Sequence, residues 1–491
     1  MKLSKLLFES AAEKPMQTAI IADDIKLTYH KLAQDVDRLA YSLIRLASGG
    51  PCAVAIALDD GPEYITSFFA VSRAGCVILP LSAKMTPKEL EQLLLQADAS
   101  ILITTLRCYD NIKSLSELTS KLNIICVEYR GSELLIASVQ STKSAVNFGN
   151  SGSAMLVPTS GSTSNPKLVM HSADAVIANM LSYCRAMQFT KPHRAYLTLA
   201  FNHIYCICAQ ILTHIYRGDT LVLNGKPFFV KDFLSAVQTH KITISSLVPY
   251  MAAMIANTED AAQYDLNSLE MMTVSGAKTP AATLNKLKQK FGNIRFVSMY
   301  GMSEAGSRIS LTSPGDGDWP AESVGKPIDC MNVRISADSE IEIKGMGIMR
   351  GYYKLEEITA KSFNDGWFKT GDTGKIDENG YLYITGRKNN LINSGSYKIN
   401  PDEVEDVLLS HPDVAEASVV GQKHQLLEEV PVAFIVRKNA ELTTENLIRH
   451  CRKNLSQYKM PYWVIFTDAI PRNNNHKVDK VRLKEMADKL S

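Results

Sequence analysis

Several things that would narrow the function early are missing from the sequence. No apolar run approaches the roughly 18 residues that a membrane-spanning helix requires. The start, Met1-Lys2-Leu3-Ser4-Lys5-Leu6-Leu7-Phe8, begins like a secretory leader but meets Glu9 and Glu13 before an adequate apolar stretch forms. The nine cysteines are scattered without a Cys-x-x-Cys pair, which argues against thiolate metal sites and a disulfide framework. Cys206-x-Cys208 is the one close spacing, and Tyr205, Ile207 and Ala209 around it suit packed core thiols. No Lys/Arg cluster occurs and the formal net charge is +2, so nothing invites a nucleic acid or another polyanion. The expectation is a cytoplasmic protein, without a membrane span, that handles small ligands.

What is present reads as an α/β protein of at least two domains. At 491 residues, 45% hydrophobic and 21% charged, the chain exceeds what one compact core holds. Up to about residue 150 helical and strand-like periods alternate: Leu32, Val36, Leu39, Ala40 and Leu43 at helical spacing, then the apolar run 52–58, a helix over 62–73, a run at 75–81, a helix over 87–97 and a run at 100–104. That alternation predicts a parallel sheet with covered faces.

The stretch Pro158-Thr159-Ser160-Gly161-Ser162-Thr163-Ser164-Asn165-Pro166-Lys167 lies between two short apolar runs, 154–157 and 168–170, which read as strands fixing its ends. Hydroxyls, backbone N–H groups and a lysine suit phosphate oxygens. The same composition also makes an ordinary polar loop, and the pattern differs from the common G-x-x-x-x-G-K-[ST] loop in having Pro166-Lys167 where that demands Gly-Lys. Farther on, helices are expected over 173–187 and 207–216 with a strand over 194–201, and His203 stands among aromatics. A strand at 270–274, the loop Ser275-Gly276-Ala277, a helix over 280–291 and a strand at 294–299 form a β-α-β unit. Its two loops, Ser275-Gly276-Ala277 and Tyr300-Gly301-Met302-Ser303-Glu304, should then emerge at one carboxyl edge, where α/β sheets bind ligands. Tyr300 is a base-stacking candidate, and Glu304 can hold a magnesium ion beside phosphates.

Beyond residue 320 the pattern turns to antiparallel β, with Asp372 in a Gly-rich turn. At Gly386-Arg387-Lys388-Asn389-Asn390 the periodicity stops. The domain boundary is placed there, giving a large domain over 1–385 and a small α+β domain over 386–491.

Taken together these stretches resemble the adenylate-forming superfamily: acyl-CoA synthetases, nonribosomal-peptide adenylation domains and luciferases. The resemblance runs nearly end to end. It rests on Leu27-Thr28-Tyr29, the 159–167 loop, Ser275-Gly276-Ala277, Tyr300 to Glu304, Ser323-Val324-Gly325-Lys326-Pro327, Gly351-Tyr352-Tyr353, Gly366-Trp367-Phe368-Lys369-Thr370-Gly371-Asp372, Gly386-Arg387, Ser394-Gly395, Pro401-Asp402-Glu403-Val404-Glu405 and Lys477-Val478-Asp479. It implies a large domain of parallel-rich sheets with helices and a β-subdomain, and a mobile small domain that closes for the first half-reaction and rotates for the second.

The implied activity is ATP-dependent acid activation through an acyl-adenylate, then transfer to the thiol of CoA or of a phosphopantetheine arm on an acyl or peptidyl carrier protein. By resemblance, Thr159, Ser160, Gly161, Ser162, Thr163 and Lys167 hold the β- and γ-phosphates. Gly276, Ala277 and Tyr300 line the adenine site, Gly301 and Met302 also contact the nucleotide, Ser303 meets the α-phosphate and Glu304 binds Mg2+. Asp372 meets the ribose hydroxyls, Arg387 touches ribose or phosphate, Lys477 bridges carboxylate and α-phosphate, and Ser394 and Gly395 border the thiol channel. Ser164, Leu168, Ser303, Asn389 and His476 depart from the family's commoner residues.

Amino-acid-activating members usually carry an aspartate after the phenylalanine matched by Phe201; here Asn202 stands there, without the charge to pair an α-ammonium. With His203, Tyr205 and Gly301 at the pocket, the expected substrate is an aryl or acyl acid lacking an α-amino group. The alternatives are a stand-alone amino-acid adenylation enzyme, a non-catalytic nucleotide-binding protein and, more remotely, a light-emitting oxidase on the same scaffold.

Overall fold

The computed structural model describes the chain except residues 1, 48–51, 113–121, 141–151, 160–165, 277, 278, 280, 293, 317, 318, 321, 389, 390, 395, 396, 425, 426, 474–476, 490 and 491. It divides into two compact units: Met1–Asn332 with Lys344–Phe368, and Val333–Ile343 with Lys369–Ser491.

Two large sheets build the first unit. In one, six strands run parallel in the order Arg295–Tyr300, Met271–Val274, Ile244–Leu247, Arg194–Leu197, Thr220–Leu223 and Thr18–Ala22, with antiparallel strands at both edges. In the other, Met155–Pro158, Val77–Ser82, Ala53–Leu58, Ala99–Thr104 and Asn123–Arg130 are parallel. Every residue of Ala53–Leu58 is buried, as an apolar run without alternation requires when both faces of a parallel sheet are covered.

Local signals set the helix ends. Thr86 and Glu89 close a reciprocal capping box with Pro87 in the first turn of Pro87–Gln96, and Thr28 and Ser172 cap the helices Tyr29–Leu46 and Ala173–Met187. Two elements differ from the sequence expectation. The strand expected over 194–201 ends at Leu197. The helix expected over 207–216 begins with a π-helical turn at Ile207–Leu212 and becomes α-helical only over Thr213–Arg217. Apolar periodicity cannot tell these turns apart, because every residue from Ile207 to Ile215 is buried and no single face marks the period.

In the second unit a five-stranded sheet holds Val414–His424, Glu428–Arg437, Ile392–Ser394, Tyr397–Ile399 and Trp463–Phe466. Val404, Leu408, Val419, Ile435 and Leu447 share its core. Residue 386, the expected break, lies in this unit within the strand Leu382–Arg387. That strand is tied down by Asn400, whose amide donates to the Thr385 carbonyl while its Oδ1 accepts the Asp402 N–H at 3.1 Å and caps Pro401–Leu409.

Candidate active site

The strands on either side of the expected phosphate loop pair with each other. Met155–Pro158 and Leu168–His171 pair antiparallel with Pro158 opposite Leu168, and the Thr159 N–H donates to the Lys167 carbonyl at 2.8 Å. The Thr159 hydroxyl accepts the Lys167 N–H at 3.2 Å, so both ends of the loop are fixed. Ser160, Gly161, Ser162 and Thr163 lie outside the described residues, as do Ser164, Ala277, Asn389, Gly395 and His476.

The β-α-β unit also forms. Met271–Val274 and Arg295–Tyr300 are parallel with Val274 opposite Ser298, which puts the loops after both strands at one edge. Two glycines shape that edge. Gly276 has φ +98°, a conformation only glycine adopts without strain. At Gly301 a Cβ would fall 1.6 Å from the Ser307 carbonyl oxygen, because the returning chain lies directly against it. Met302, Ser303 and Glu304 follow, half-buried, with Ser303–Ala305 forming one 3-10 turn.

Three separate stretches then converge. Tyr352, on an edge strand that pairs with Leu168–His171, donates its hydroxyl to Glu304 Oε1 at 2.9 Å. Lys167 Nζ stands 4.7 Å from the centre of the same ring. Burial, and then the Glu304 carboxylate, push the phenol's pKa up, so Tyr352 remains a donor. A cation–π contact is worth about 0.5–2 kcal/mol, and a hydrogen bond to a charged group about 1.5–3. A phosphate can therefore take Lys167 from the ring without a large penalty.

His171 pins the same region from below. Its Nε2 donates to the Ser303 carbonyl at 2.7 Å, and burial lowers its pKa to about 4, so the ring is neutral with Nδ1 left without a hydrogen-bond partner. One glutamate with a lysine beside it also fits Mg2+, which takes one or two carboxylates and leaves its other positions to water and substrate phosphates.

In the segment expected to face the acid, the Phe201 N–H donates to Asp60 Oδ1 at 2.8 Å, which fixes where the segment enters. His203 caps the short helix that follows, its Nδ1 accepting the Tyr205 N–H at 3.2 Å. Asn202 and His203 are half-buried, whereas the Tyr205 ring is buried with its hydroxyl 3.1 Å from Thr273 Oγ1, at the end of the strand that leads into Ser275-Gly276. Tyr205 thus links the expected acid segment to the expected adenine loop.

The remaining expected residues are on the second unit. Asp372, expected at ribose, is buried, and Arg387, expected at ribose or phosphate, has its Nε 2.9 Å from Asp372 Oδ1; their strands pair with Asp372 opposite Arg387. Ser394 is buried in the strand Ile392–Ser394. Lys477 is tied to Asn473: its N–H donates to Asn473 Oδ1 at 3.1 Å, its carbonyl accepts the Asn473 N–H at 2.8 Å, and Arg472 bridges Val478.

Sequence reasoning assigned no role to Tyr352, His171, Asn179 or Arg308. Tyr352 lay within a recognised motif, and Arg308 is a lone cation in the run Ala305-Gly306-Ser307-Arg308-Ile309-Ser310-Leu311, a signal worth reading. His171 and Asn179 had none, since their partners are distant in the chain.

Residues 7–353 match the model of the AMP-binding enzyme family and residues 403–477 that of the AMP-binding enzyme C-terminal domain. The chain is 30% identical to 2-succinylbenzoate–CoA ligase of Bacillus licheniformis, over 97% of this chain and 98% of that protein. It is 28% identical to indoleacetate–CoA ligase of Aromatoleum aromaticum, over 99% and 98%. Among solved structures, o-succinylbenzoate CoA synthetase from Bacillus subtilis with its acyl-adenylate superposes with a TM-score of 0.81 at 27% identity, covering 98% and 97% of the two chains. An anthranilate CoA ligase with anthranoyl-AMP gives 0.87 over 100% and 98%, and at 22% identity it speaks to the fold. The chain therefore belongs to the AMP-binding enzyme family, within the adenylate-forming superfamily that its motifs resemble.

Proposed function

We propose that this enzyme activates an aryl or acyl carboxylic acid lacking an α-amino group and transfers it to the thiol of CoA. The observation that carries the reading is the meeting of Glu304 and Lys167, the expected metal and phosphate ligands, across Tyr352. The acid carboxylate attacks the α-phosphorus of ATP; a bond to the acid oxygen forms, and the bond to pyrophosphate breaks with its electron pair leaving on pyrophosphate. The CoA thiolate then attacks the acyl carbon and AMP departs. Charge grows on the phosphates in the first step, so fixed donors and cations there lower the barrier.

Thr159 and Lys167, with Ser160, Gly161, Ser162 and Thr163, hold the leaving pyrophosphate. Gly276, Ala277 and Tyr300 bind adenine with Gly301 and Met302 also at the nucleotide, Ser303 meets the α-phosphate, Asp372 the ribose, and Arg387 ribose or phosphate. Lys477 carries the ammonium that bridges the two reacting groups, on a lid beginning at residue 386, and Ser394 and Gly395 border the path of the thiol. Glu304 would hold Mg2+, which neutralises phosphate charge when bound. Asn202, His203 and Tyr205 face the acid, and Asn202 offers no charge to an α-ammonium. All nine cysteines are free thiols, in keeping with a cytoplasmic setting.

ATP–pyrophosphate exchange across aryl, fatty and amino acids tests this. Exchange with aryl or acyl acids, lost in Lys477→Ala, is expected, with thioester formed on free CoA. Fastest exchange with an α-amino acid, or a Lys477→Ala variant as fast as the parent, would overturn it.

A further inference from the structure

Arg308 is the least expected residue of the first unit. It is 1% exposed, yet its Nε, Nη1 and Nη2 all lack a hydrogen-bond partner, so no carboxylate of the described residues satisfies it. Its Cζ rests 3.5 Å from the centre of the Tyr183 ring. A guanidinium cannot shed its proton as a buried lysine can. The desolvation of an unpaired buried charge exceeds what a ring face returns.

Its position relates this cation to the acid pocket. Arg308 lies on the return limb of the Tyr300–Glu304 loop, where the Ile309 N–H donates to the Tyr300 carbonyl at 2.8 Å and the Ser307 carbonyl presses on Gly301. Asn179, on the helix Ala173–Met187, donates to the Arg308 carbonyl at 2.7 Å and holds the limb there. Tyr183 belongs to that helix, and Arg308 also acts on the segment after His203. Burial pushes the Tyr205 phenol and the Cys208 thiol up to about 12, and the Arg308 charge opposes both shifts. Tyr183 Oη and Ser307 Oγ are likewise buried without partners, and Ser307 has φ +106°, strained for a non-glycine residue.

We propose that Arg308 is the counter-ion for a second carboxylate, so that the substrate is a dicarboxylic acid of which one carboxylate is adenylated and the other rests on the guanidinium. This rests on the acid-activating reading and adds the substrate's class. A planar fork of N–H donors matches a carboxylate two bonds at a time, and bringing in the anion removes the unpaired charge. Arg308 thereby selects among acids without taking part in the adenylation.

The test compares dicarboxylates with analogues in which one carboxylate is a methyl ester, by ATP–pyrophosphate exchange in the parent enzyme, Arg308→Met and Arg308→Lys. The parent should favour the diacid in kcat/KM by about 30-fold or more, the range for a buried charge pair that loses one partner. Arg308→Met should erase that ratio and Arg308→Lys restore part of it, while the Arg308→Met melting temperature stays at or above the parent's. A parent that prefers monoesters overturns the proposal, and so does an Arg308→Met variant that loses both acids equally and melts earlier. Should Arg308→Met fail to fold, the parent's ratio and Arg308→Lys decide. Calorimetric binding of the diacid with a non-hydrolysable ATP analogue separates the two readings. Arg308-dependent binding without exchange sinks the ligase reading alone; exchange of monoacids without diacid binding sinks this one alone.

Discussion

Tyr352 donates its phenol to Glu304 Oε1 at 2.9 Å while Lys167 stands over the same ring, 48 residues of chain separating donor from acceptor. Removing that hydroxyl leaves the ring for Lys167 but frees the carboxylate that should hold the metal. Tyr352→Phe is expected to weaken apparent Mg2+ affinity in the exchange reaction about 10- to 100-fold, the usual cost of losing a group that orients a metal ligand. A half-saturating Mg2+ concentration equal to the parent's would refute it.

His171 predicts a pH dependence of stability. Its pKa is near 4 in the folded protein because burial disfavours the charged ring, against about 6.5 for an unfolded histidine. Between those values the unfolded chain binds the extra proton, so stability present above about pH 6.5 falls as the pH drops and levels off below about 4, by roughly 3 kcal/mol from this residue. In His171→Gln, urea denaturation at pH 7.5 and pH 4.5 should differ less than in the parent by up to that amount; an unchanged difference would count against a buried neutral ring.

Gly301→Ala sets a methyl carbon 1.6 Å from the Ser307 carbonyl oxygen, where no rotamer relieves the overlap. Backbone must move, so the loss should reach the upper end for overpacking, about 3 kcal/mol, and disturb Tyr300 and Arg308 together. Equilibrium unfolding and ATP binding should both deteriorate. A variant with parental stability would show that the return limb lies elsewhere.

The Asp372–Arg387 pair separates structure from ligand binding. The Arg387 side chain is 63% exposed, so its ion pair contributes less than about 1 kcal/mol to folding. Arg387→Ala should hardly change the urea midpoint, whereas Asp372→Asn should weaken ATP binding about 10- to 100-fold by losing a charged acceptor for hydroxyls. Equal effects of both variants on stability, with ATP binding intact, would assign the pair to folding alone.

Much of the site was legible because its signals are local. Apolar runs on either side of Thr159 and Lys167 announced the strands that fix the loop's ends, the helical pattern over 87–97 announced the helix Pro87–Gln96, and the β-α-β alternation put the Gly276 and Tyr300 loops at one edge. The side proposed to select the acid was less legible. Asn202 could be read as a missing charge, but nothing in the order of residues showed that Arg308 is buried without a partner.

The sequence by itself determined the alternation of strands and helices, the loops that join them and the residue types offered to ATP and acid, since period, caps and turn residues act within a few positions of one another. Tertiary structure alone decided that Thr18–Ala22 lies beside Thr220–Leu223, that His171 meets Ser303 across 132 residues and that Tyr352 reaches Glu304. Such partners are chosen by which surfaces exclude water together, a property of the packed chain that no short stretch carries.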